Sequence, residues 1–332
     1  MTTIPTRPVA EPPAVLARAR ALVDEPIRAA VARLNPELRA PLEHHLAGGG
    51  KHVRAALALL SAAASGADEE EAIPAAVAIE LMHNFSLIHD DVIDGDRERR
   101  HRATVWAEFG VGAAIIAGDA LALLATEVLL DGAGPFGSVA ALALAKATQG
   151  MISGQADDMA FETRSVVSID ECLTMEERKT GALLACAASL GAVLAGAPTA
   201  VTDALAQFGN HLGVAFQAVD DLLGIWGDPR VTGKPVGSDL RQHKKTLPVC
   251  AALAAADGMA GELVTLLRGR LSERDVETAA QFVDAYGGRD ITLATADRHL
   301  GLALAALDRV PLAAGPSAEL AELARFVVGR DR

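Results

Sequence analysis

An all-α fold is what this sequence predicts, and three observations carry that reading. The apolar mass is mostly Ala, Leu and Val, with hydrophobic residues at 51% and aromatics at only 3% of 332 residues. Strong helix formers therefore abound, and the aromatic residues that favour strands are scarce. No stretch alternates apolar and polar residues with the period of a strand. Gly and Pro fall at intervals suited to helix joints rather than to hairpins.

The segments expected to be helical can be placed in order. A Pro-rich start, "MTTIPTRPVAEPPAV", lacks the continuous apolar core of a signal peptide and reads as a loose tail over 1–15. Helices then follow at 14–34 and 37–46. The Gly48–Gly50 run separates these from 51–65, and Gly66 ends that segment. Next come 70–94, 104–109, 112–131 and, past the turn "DGAGPFG", 137–162. A segment at 168–198 ends at Gly196–Pro198 and is followed by 200–227. Beyond "GDPRVTGKPVG" lie 244–255, 257–268, 272–285, 287–308 and about 316–328. No linker is long enough to divide them, so 16–332 is expected to form one large helical domain.

Two stretches call for a membrane test. Thr180–Val201 has no charge over 22 residues, and "VGAAIIAGDALALLATEVLL" is similar apart from Asp119 and Glu127. Length alone would flag both. The first is largely Ala, Gly, Ser and Thr and is broken by Pro198. Helices apolar on every side are also what the centre of a large bundle needs. Buried helices, with no transmembrane segment, are the expectation.

The formal net charge of −13 argues against a nucleic-acid partner, because no basic surplus exists to neutralise phosphates. Cys172, Cys186 and Cys250 show no CxxC spacing. A disulfide framework or zinc site is not expected, and a reducing, cytoplasmic setting fits.

Chemistry concentrates in a few places. "HNFSLIHDDVIDGDRERRHRATVW" ends an apolar helix in Asp90, Asp91 and Asp94 and follows them with Arg99 and Arg100. Asp90 and Asp94 are four apart, and His83 is seven before Asp90, so the three share a face. Asp91 sits 100° round from Asp90 and is expected to reach the same metal from the side. "FQAVDDLLGIWGD" ends a second apolar helix with Gln217, Asp220 and Asp221. Two such helices face to face would crowd carboxylates around one cavity mouth. That repulsion makes sense if divalent cations bind, and all-oxygen ligands suit Mg²⁺ together with substrate phosphate oxygens. Lys51 and Arg54 in "GGGKHVR" follow a glycine run at a helix start, a good anion position. Lys179, Lys234, Lys244 and Lys245 lie near the other motifs. Two diphosphates could be held, one through metals and one by direct cationic contacts.

Each feature alone has a plainer explanation. "DDVID" could be a solvated helix end, and as an EF-hand it fails because Arg99 and Val105 stand where Gly and Glu are needed. "GGGK" lacks the Walker spacing. His83 could be a core histidine and the basic pairs solvated. The case rests on the ensemble.

That ensemble resembles the trans-isoprenyl diphosphate synthase (polyprenyl synthetase) family. "GGGKHVR", "HNFSLIHDDVIDGDRERRH", "GDAL", "ERKTGALL", "FQAVDDLLGIWGD" and "TGKPVGSDLRQHKKTLP" occur in the family's order, from about Gly48 to the C-terminus. The resemblance implies helices around a central cavity, usually in a homodimer. It implies head-to-tail condensation of isopentenyl diphosphate with an allylic diphosphate, as in a bacterial geranylgeranyl diphosphate synthase. Asp90, Asp91, Asp94, Asp220 and Asp221 match the family's metal positions, which would hold three Mg²⁺ ions. Arg99, Lys179, Lys234 and Lys244 match contacts to the allylic diphosphate. Lys51, Arg54, His83 and Arg100 match the isopentenyl diphosphate site. Thr180 and Gln217 match polar positions beside the reacting carbons, and with Lys179 form the expected catalytic set.

The sequence departs from the family at several points. Gly224 stands where many members have a third aspartate. His52 and Ala55 replace a commoner Arg and Pro, Ala103 another Pro, and His243 a common Gly. Met82, Phe85 and Ser86, upstream of Asp90, are expected to set product length; in the family an aromatic residue beside a small one here usually goes with geranylgeranyl diphosphate, so the resemblance implies a C20 product, with C15 and C25 as neighbours. A class I terpene cyclase and a non-catalytic partner subunit are the competing functions. The first would not need the second diphosphate site, and the second would be expected to lose aspartates that are present here.

Overall fold

The computed structural model describes residues 11–229, 235–255, 260–267, 269 and 271–329. The chain opens with α1 (Ala14–Val31), α2 (Pro36–Leu46), α3 (Val53–Ala64) and α4 (Ile73–Ile93). A short hairpin, β1 (Glu98–Arg99) and β2 (Arg102–Ala103), leads to α5 (Val105–Phe109), α6 (Val111–Gly132) and α7 (Gly137–Glu162). Then come α8 (Ile169–Glu176), a π turn (Glu177–Gly181), α9 (Ala182–Leu194) and α10 (Thr199–Trp226). The remaining helices are α11 (Ser238–Arg241), α12 (Leu247–Ala255), α13 (Ala260–Leu266), α14 (Glu273–Ala285), α15 (Gly288–Leu307) and α16 (Ala314–Gly329).

Local chemistry explains the boundaries. Asn35 caps α2 by accepting the Leu38 N–H at 3.0 Å, with Pro36 in the first turn. Ser168 and Ser272 close capping boxes on α8 and α14. Asp94 ends α4, and Gly95 at φ 70° turns the chain away.

The core is built from helices with little polar surface. Leu57, Leu59, Leu60, Ile79, Leu81, Leu183, Leu190, Leu205 and Phe208 are fully buried. α4 packs between α3 and α6, α9 against α3 and α10, and α10 against α15. A second apolar cluster joins the end of α10, through Leu222, Ile225 and Trp226, to α12 and α14. Ala-rich faces let these helices approach closely. At Gly191 the approach is closest: a Cβ there would overlap the Ala58 carbonyl of α3, which is backbone and cannot turn aside.

The structure differs from expectation in four places. No strand was expected, yet β1 and β2 pair antiparallel with Arg99 opposite Arg102, leaving a two-residue turn at Arg100 and His101. Both turn residues have positive φ, 53° and 60°, as a tight hairpin turn of this length demands. An Arg-His pair gives no Gly or Asn signal for it. The segment expected at 168–198 is interrupted by the π turn and ends at Leu194. The one expected from 244 starts at Leu247, after His243 at φ 57°. Finally, α6 was expected to be buried. Among the described residues it is the helix long and apolar enough to cross a membrane, but its outer side shows Val111, Ile115, Ile116, Leu123 and Leu130 to solvent. α9 is buried as expected. α1 begins two residues before the anticipated start of order near Leu16, and 1–10 lie outside the described residues.

Gly191→Ala is expected to lower stability by about 1–3 kcal/mol through overpacking. Denaturant unfolding of the two proteins measures this.

Candidate active site

A cavity of about 1950 Å³ lies among α3, α4, α7, the π turn and α10. Its apolar lining comes from Phe85, Met151, Leu183, Leu184 and Phe216. Its charged lining gathers most residues singled out from sequence: Lys51, Arg54, His83, Asp90, Asp94, Arg99, Arg100, Lys179, Asp220, Asp221 and Lys244, with Ser86, Thr180 and Gln217. Lys234 lies outside the described residues.

The last turn of α4 carries the first acidic motif. Asp90 and Asp94, one turn apart, both line the cavity. Burial raises the pKa of Asp90, and Asp94 adds to the rise against Lys179, Arg99 and Lys244. Asp91 does not join them. It is 1% exposed, is absent from the cavity lining, and its Oδ1 accepts Arg99 Nε and Nη2, each at 2.8 Å. The 100° step that was expected to bring Asp91 to a shared metal instead turns it into the protein, where it anchors Arg99. The hairpin makes this possible, because its strained turn presents Arg99 to Asp91 and Arg100 to the Gly50 loop.

The second motif divides in the same way. Asp220 lines the cavity near the end of α10. Asp221 touches the cavity but has both oxygens engaged, by Gln217 Nε2 at 2.9 Å and by Leu247 N at 2.8 Å. Burial pushes its pKa up to about 7, although both hydrogen bonds oppose the shift. Glu176 lies against it, 0% exposed and also raised by burial, so the two carboxyls form a pair that disfavours double ionisation. Asp221 thus anchors the start of α12 while still touching the cavity.

The π turn supplies Lys179 and Thr180. Such turns inside helices redirect side chains, often at functional sites. Gly154 of α7 has its Cα hydrogen directed at the Lys179 backbone, and any side chain there would clash with it. Lys179 Nζ reaches Asp158 Oδ2 at 2.5 Å. Thr180 Oγ1 donates to Gln217 Oε1 at 2.7 Å, which continues the chain through Gln217 to Asp221 and Leu247. Lys244 Nζ lies 3.2 Å from Asp94 Oδ2, and Asp94, Asp158 and Asp239 hold its pKa up despite burial.

A distinct cationic surface faces these acids. Arg54 Nη1 donates to His83 Nε2 at 3.2 Å. Burial, and then Arg54, Arg100 and Arg99, keep the His83 pKa far below the usual value, so its ring is a neutral acceptor. Arg100 has a lowered pKa from burial and from Arg99. Lys51 stands beside them.

Phe85 lies edge-on to His89, with ring centroids 4.8 Å apart. His89 Nε2 is 3.0 Å from the Ile115 carbonyl, in space left free by Gly118. Phe85 and Ser86 line the cavity, but Met82 does not. It is packed into the core, a further turn down α4 where the neighbouring helices have closed together.

Several site residues escaped sequence reasoning. Asp158 orients Lys179, and its only signal was an acidic pair, "ADD", inside an apolar helix. Gln155 Oε1 is buried on the cavity wall with no hydrogen-bond donor among the described residues. Asp239 bears on the missing third aspartate: a Cβ on Gly224 would collide with its carboxylate, which already fills that space and lines the cavity.

The donors on the two acidic walls are oxygens alone, which suits a hard cation. No three of His, Cys, Asp or Glu among the described residues form a preformed metal cage. A cation here would complete its shell with water and substrate oxygens, as Mg²⁺ commonly does.

The polyprenyl synthetase family model matches residues 35–284. The chain belongs to the polyprenyl synthetase family. A (2E,6E)-farnesyl diphosphate synthase of Mycobacterium tuberculosis is 46% identical over 332 residues, covering 95% of this chain and 92% of the relative. A geranylgeranyl diphosphate synthase of the same organism is 42% identical over 308 residues, covering 89% and 88%. The crystal structure of a polyprenyl synthetase from Streptomyces coelicolor A3(2) superposes with a TM-score of 0.91 at 47% identity, covering 96% of this chain and 100% of that one. A geranylgeranyl pyrophosphate synthase from Corynebacterium glutamicum, complexed with isoprenyl diphosphate and magnesium, gives 0.82 at 29% identity, covering 98% and 100%. As a polyprenyl synthetase the chain is a prenyltransferase of the trans-prenyl diphosphate synthase kind.

Asp91→Ala would strand the Arg99 guanidinium beside a cavity that already carries Arg100. Breaking a fully buried pair costs about 3–5 kcal/mol, and Arg99 keeps some solvent contact, so a loss of about 2 kcal/mol is expected. Thermal unfolding without substrate is the measurement.

Proposed function

We propose that this polyprenyl synthetase condenses isopentenyl diphosphate with an allylic diphosphate, head to tail, to give a linear all-trans polyprenyl diphosphate. One observation carries the reading. A single cavity contains two surfaces for diphosphate, one of opposed carboxylates (Asp90, Asp94 and Asp220) and one of direct cations (Lys51, Arg54 and Arg100) beside neutral His83. The first suits the allylic diphosphate approached through cations, and the second suits isopentenyl diphosphate. Three Mg²⁺ ions are the proposed complement, and when bound they supply charge neutralisation of the allylic diphosphate. The magnesium in the Corynebacterium glutamicum neighbour supports that choice.

The residues of the chain do the rest. Arg99, Lys179 and Lys244 direct N–H groups at the allylic diphosphate, and the resemblance assigns Lys234, outside the described residues, to the same group. Three of these four are already aimed by carboxylates, through Asp91, Asp158 and Asp94. When the allylic C–O bond breaks, both electrons leave with diphosphate, and these fixed cations stabilise the leaving group. The Thr180 hydroxyl oxygen and Gln217 amide oxygen sit beside the positive allyl carbon. The apolar lining keeps water from it. The alkene of isopentenyl diphosphate forms the new C–C bond, and the proton then lost goes to the released diphosphate.

The proposed product is geranylgeranyl diphosphate, C20. Phe85, held edge-on by His89, forms the floor under Asp90, while small Ser86 and flexible Met151 and Met159 leave room beside it. A homodimer is also proposed. α6 and α7 together expose Ile115, Ile116, Leu123, Val139, Leu142 and Ile152, an apolar area beyond what scattered surface residues explain. The three cysteines, all free and buried, support a cytoplasmic setting.

Mass spectrometry of products tests the function. Purified protein with Mg²⁺, isopentenyl diphosphate and dimethylallyl, geranyl, farnesyl or geranylgeranyl diphosphate is expected to extend the chain to C20 and stop. Hydrocarbon formed from an allylic diphosphate alone would assign a cyclase instead. Phe85→Ala should lengthen the product by at least one unit, and an unchanged length would reject the floor. Leu123→Glu combined with Leu142→Glu should give a monomer in sedimentation velocity.

A further inference from the structure

His52 lines the cavity beside Lys51. It closes the loop that carries Lys51 and is the residue that opens α3, with φ at 52°, a strained conformation for a residue with a Cβ. Its ring is 10% exposed. Nε2 lies 3.3 Å from Asp24 Oδ1 on α1, and Nδ1 lies 3.5 Å from Glu80 Oε2 on α4. Glu80 is itself buried, and its other oxygen accepts the Ala55 N–H at 3.1 Å. One carboxylate therefore caps α3 and faces the imidazole at once.

Both ring nitrogens face a carboxylate on a different helix. Only the imidazolium carries an N–H on each. A neutral ring must turn a lone pair toward one of the two acids. The other charges around it are Arg20 on α1, which donates to Asp24 at 3.2 Å, Arg100 from the hairpin, and the adjacent Lys51 and Arg54. Burial works against protonation, but Glu80 and Asp24 outweigh it and hold the ring pKa above its usual value.

We propose that His52 is a positioning residue for isopentenyl diphosphate: its ring, set between the Asp24 and Glu80 carboxylates, ties α1 to α4 across the loop by ion pairing and so fixes Lys51 and Arg54. This rests on the assignment of that diphosphate to Lys51, Arg54, His83 and Arg100. A group whose folded-state pKa is raised contributes fully below its unfolded value, near 6.5, and loses that contribution as pH rises through the folded value. The grip on isopentenyl diphosphate should therefore weaken from neutral into alkaline pH.

The test is steady-state kinetics from pH 6.5 to 9, together with NMR titration of the His52 ring in the full-length protein. In the native protein the KM for isopentenyl diphosphate should rise roughly threefold or more over this range, as the ring loses its proton. The allylic KM and kcat should not follow it. His52→Arg, which keeps its charge, should flatten the profile, and Asp24→Asn should shift the ring titration downward. An identical KM profile in His52→Arg, or parallel movement of both KM values, would overturn the proposal. A ring titrating at or below the usual range would overturn the bridge itself. A raised ring titration with no response in KM would instead place the fault in the isopentenyl diphosphate assignment.

Discussion

The gathering of carboxylates at one cavity is the constraint on which the rest of this structure depends. Asp90, Asp94 and Asp220 are brought to one space by α4 and α10, and burial makes the charged form of Asp90 still less favourable. Such an arrangement holds only if positive charge is close by. Lys179, Lys244 and Arg99 supply part of it, the first fixed to Asp158 of α7 and the other two to Asp94 and Asp91 at the end of α4. The close helix packing, the π turn and the tight hairpin all deliver those cations to the acids. The shell is left open on the substrate side, where, on the proposed function, diphosphate oxygens and hard cations would complete it.

The doubled aspartates show how one motif does two jobs. In each pair one carboxylate is left to the cavity, while the other is held by hydrogen bonds to the protein. Asp91 holds Arg99, while Asp221 holds Gln217 and the first residue of α12. A cavity carboxylate and a scaffold carboxylate are thus adjacent in sequence, so the geometry of the site is inherited from the ends of the two helices. Gly224 fits the same economy of space, because Asp239 already occupies the volume that a side chain there would need.

The helices were legible because their apolar character and their Gly and Pro joints are local properties. The two acidic motifs, the cationic motifs and their convergence were legible because helix ends project charges in a known direction. What was not legible depends on partners distant in sequence. Asp91 and Asp90 differ only in which side of α4 meets Arg99. Asp158 acquires meaning only beside Lys179, twenty-one residues on. Met82 was expected at the cavity and lies in the core, because periodicity gives the face of a helix but not the depth at which its neighbours close. The hairpin escaped because Arg100 and His101 occupy positive φ without a Gly or Asn to announce it. The outward apolar side of α6 escaped because hydropathy does not tell a buried face from one awaiting a partner.

The most direct measurement is the binding of Mn²⁺, as a spectroscopic substitute for Mg²⁺, with and without inorganic diphosphate, followed by electron paramagnetic resonance. If opposed carboxylates leave the coordination shell for diphosphate to complete, Mn²⁺ should bind weakly alone and at least tenfold more tightly with diphosphate, a coupling of about 1.4 kcal/mol or more. Asp220→Asn should abolish that gain. Equal Mn²⁺ affinity with and without diphosphate would contradict the account, because the acidic walls would then bind cations independently of any substrate.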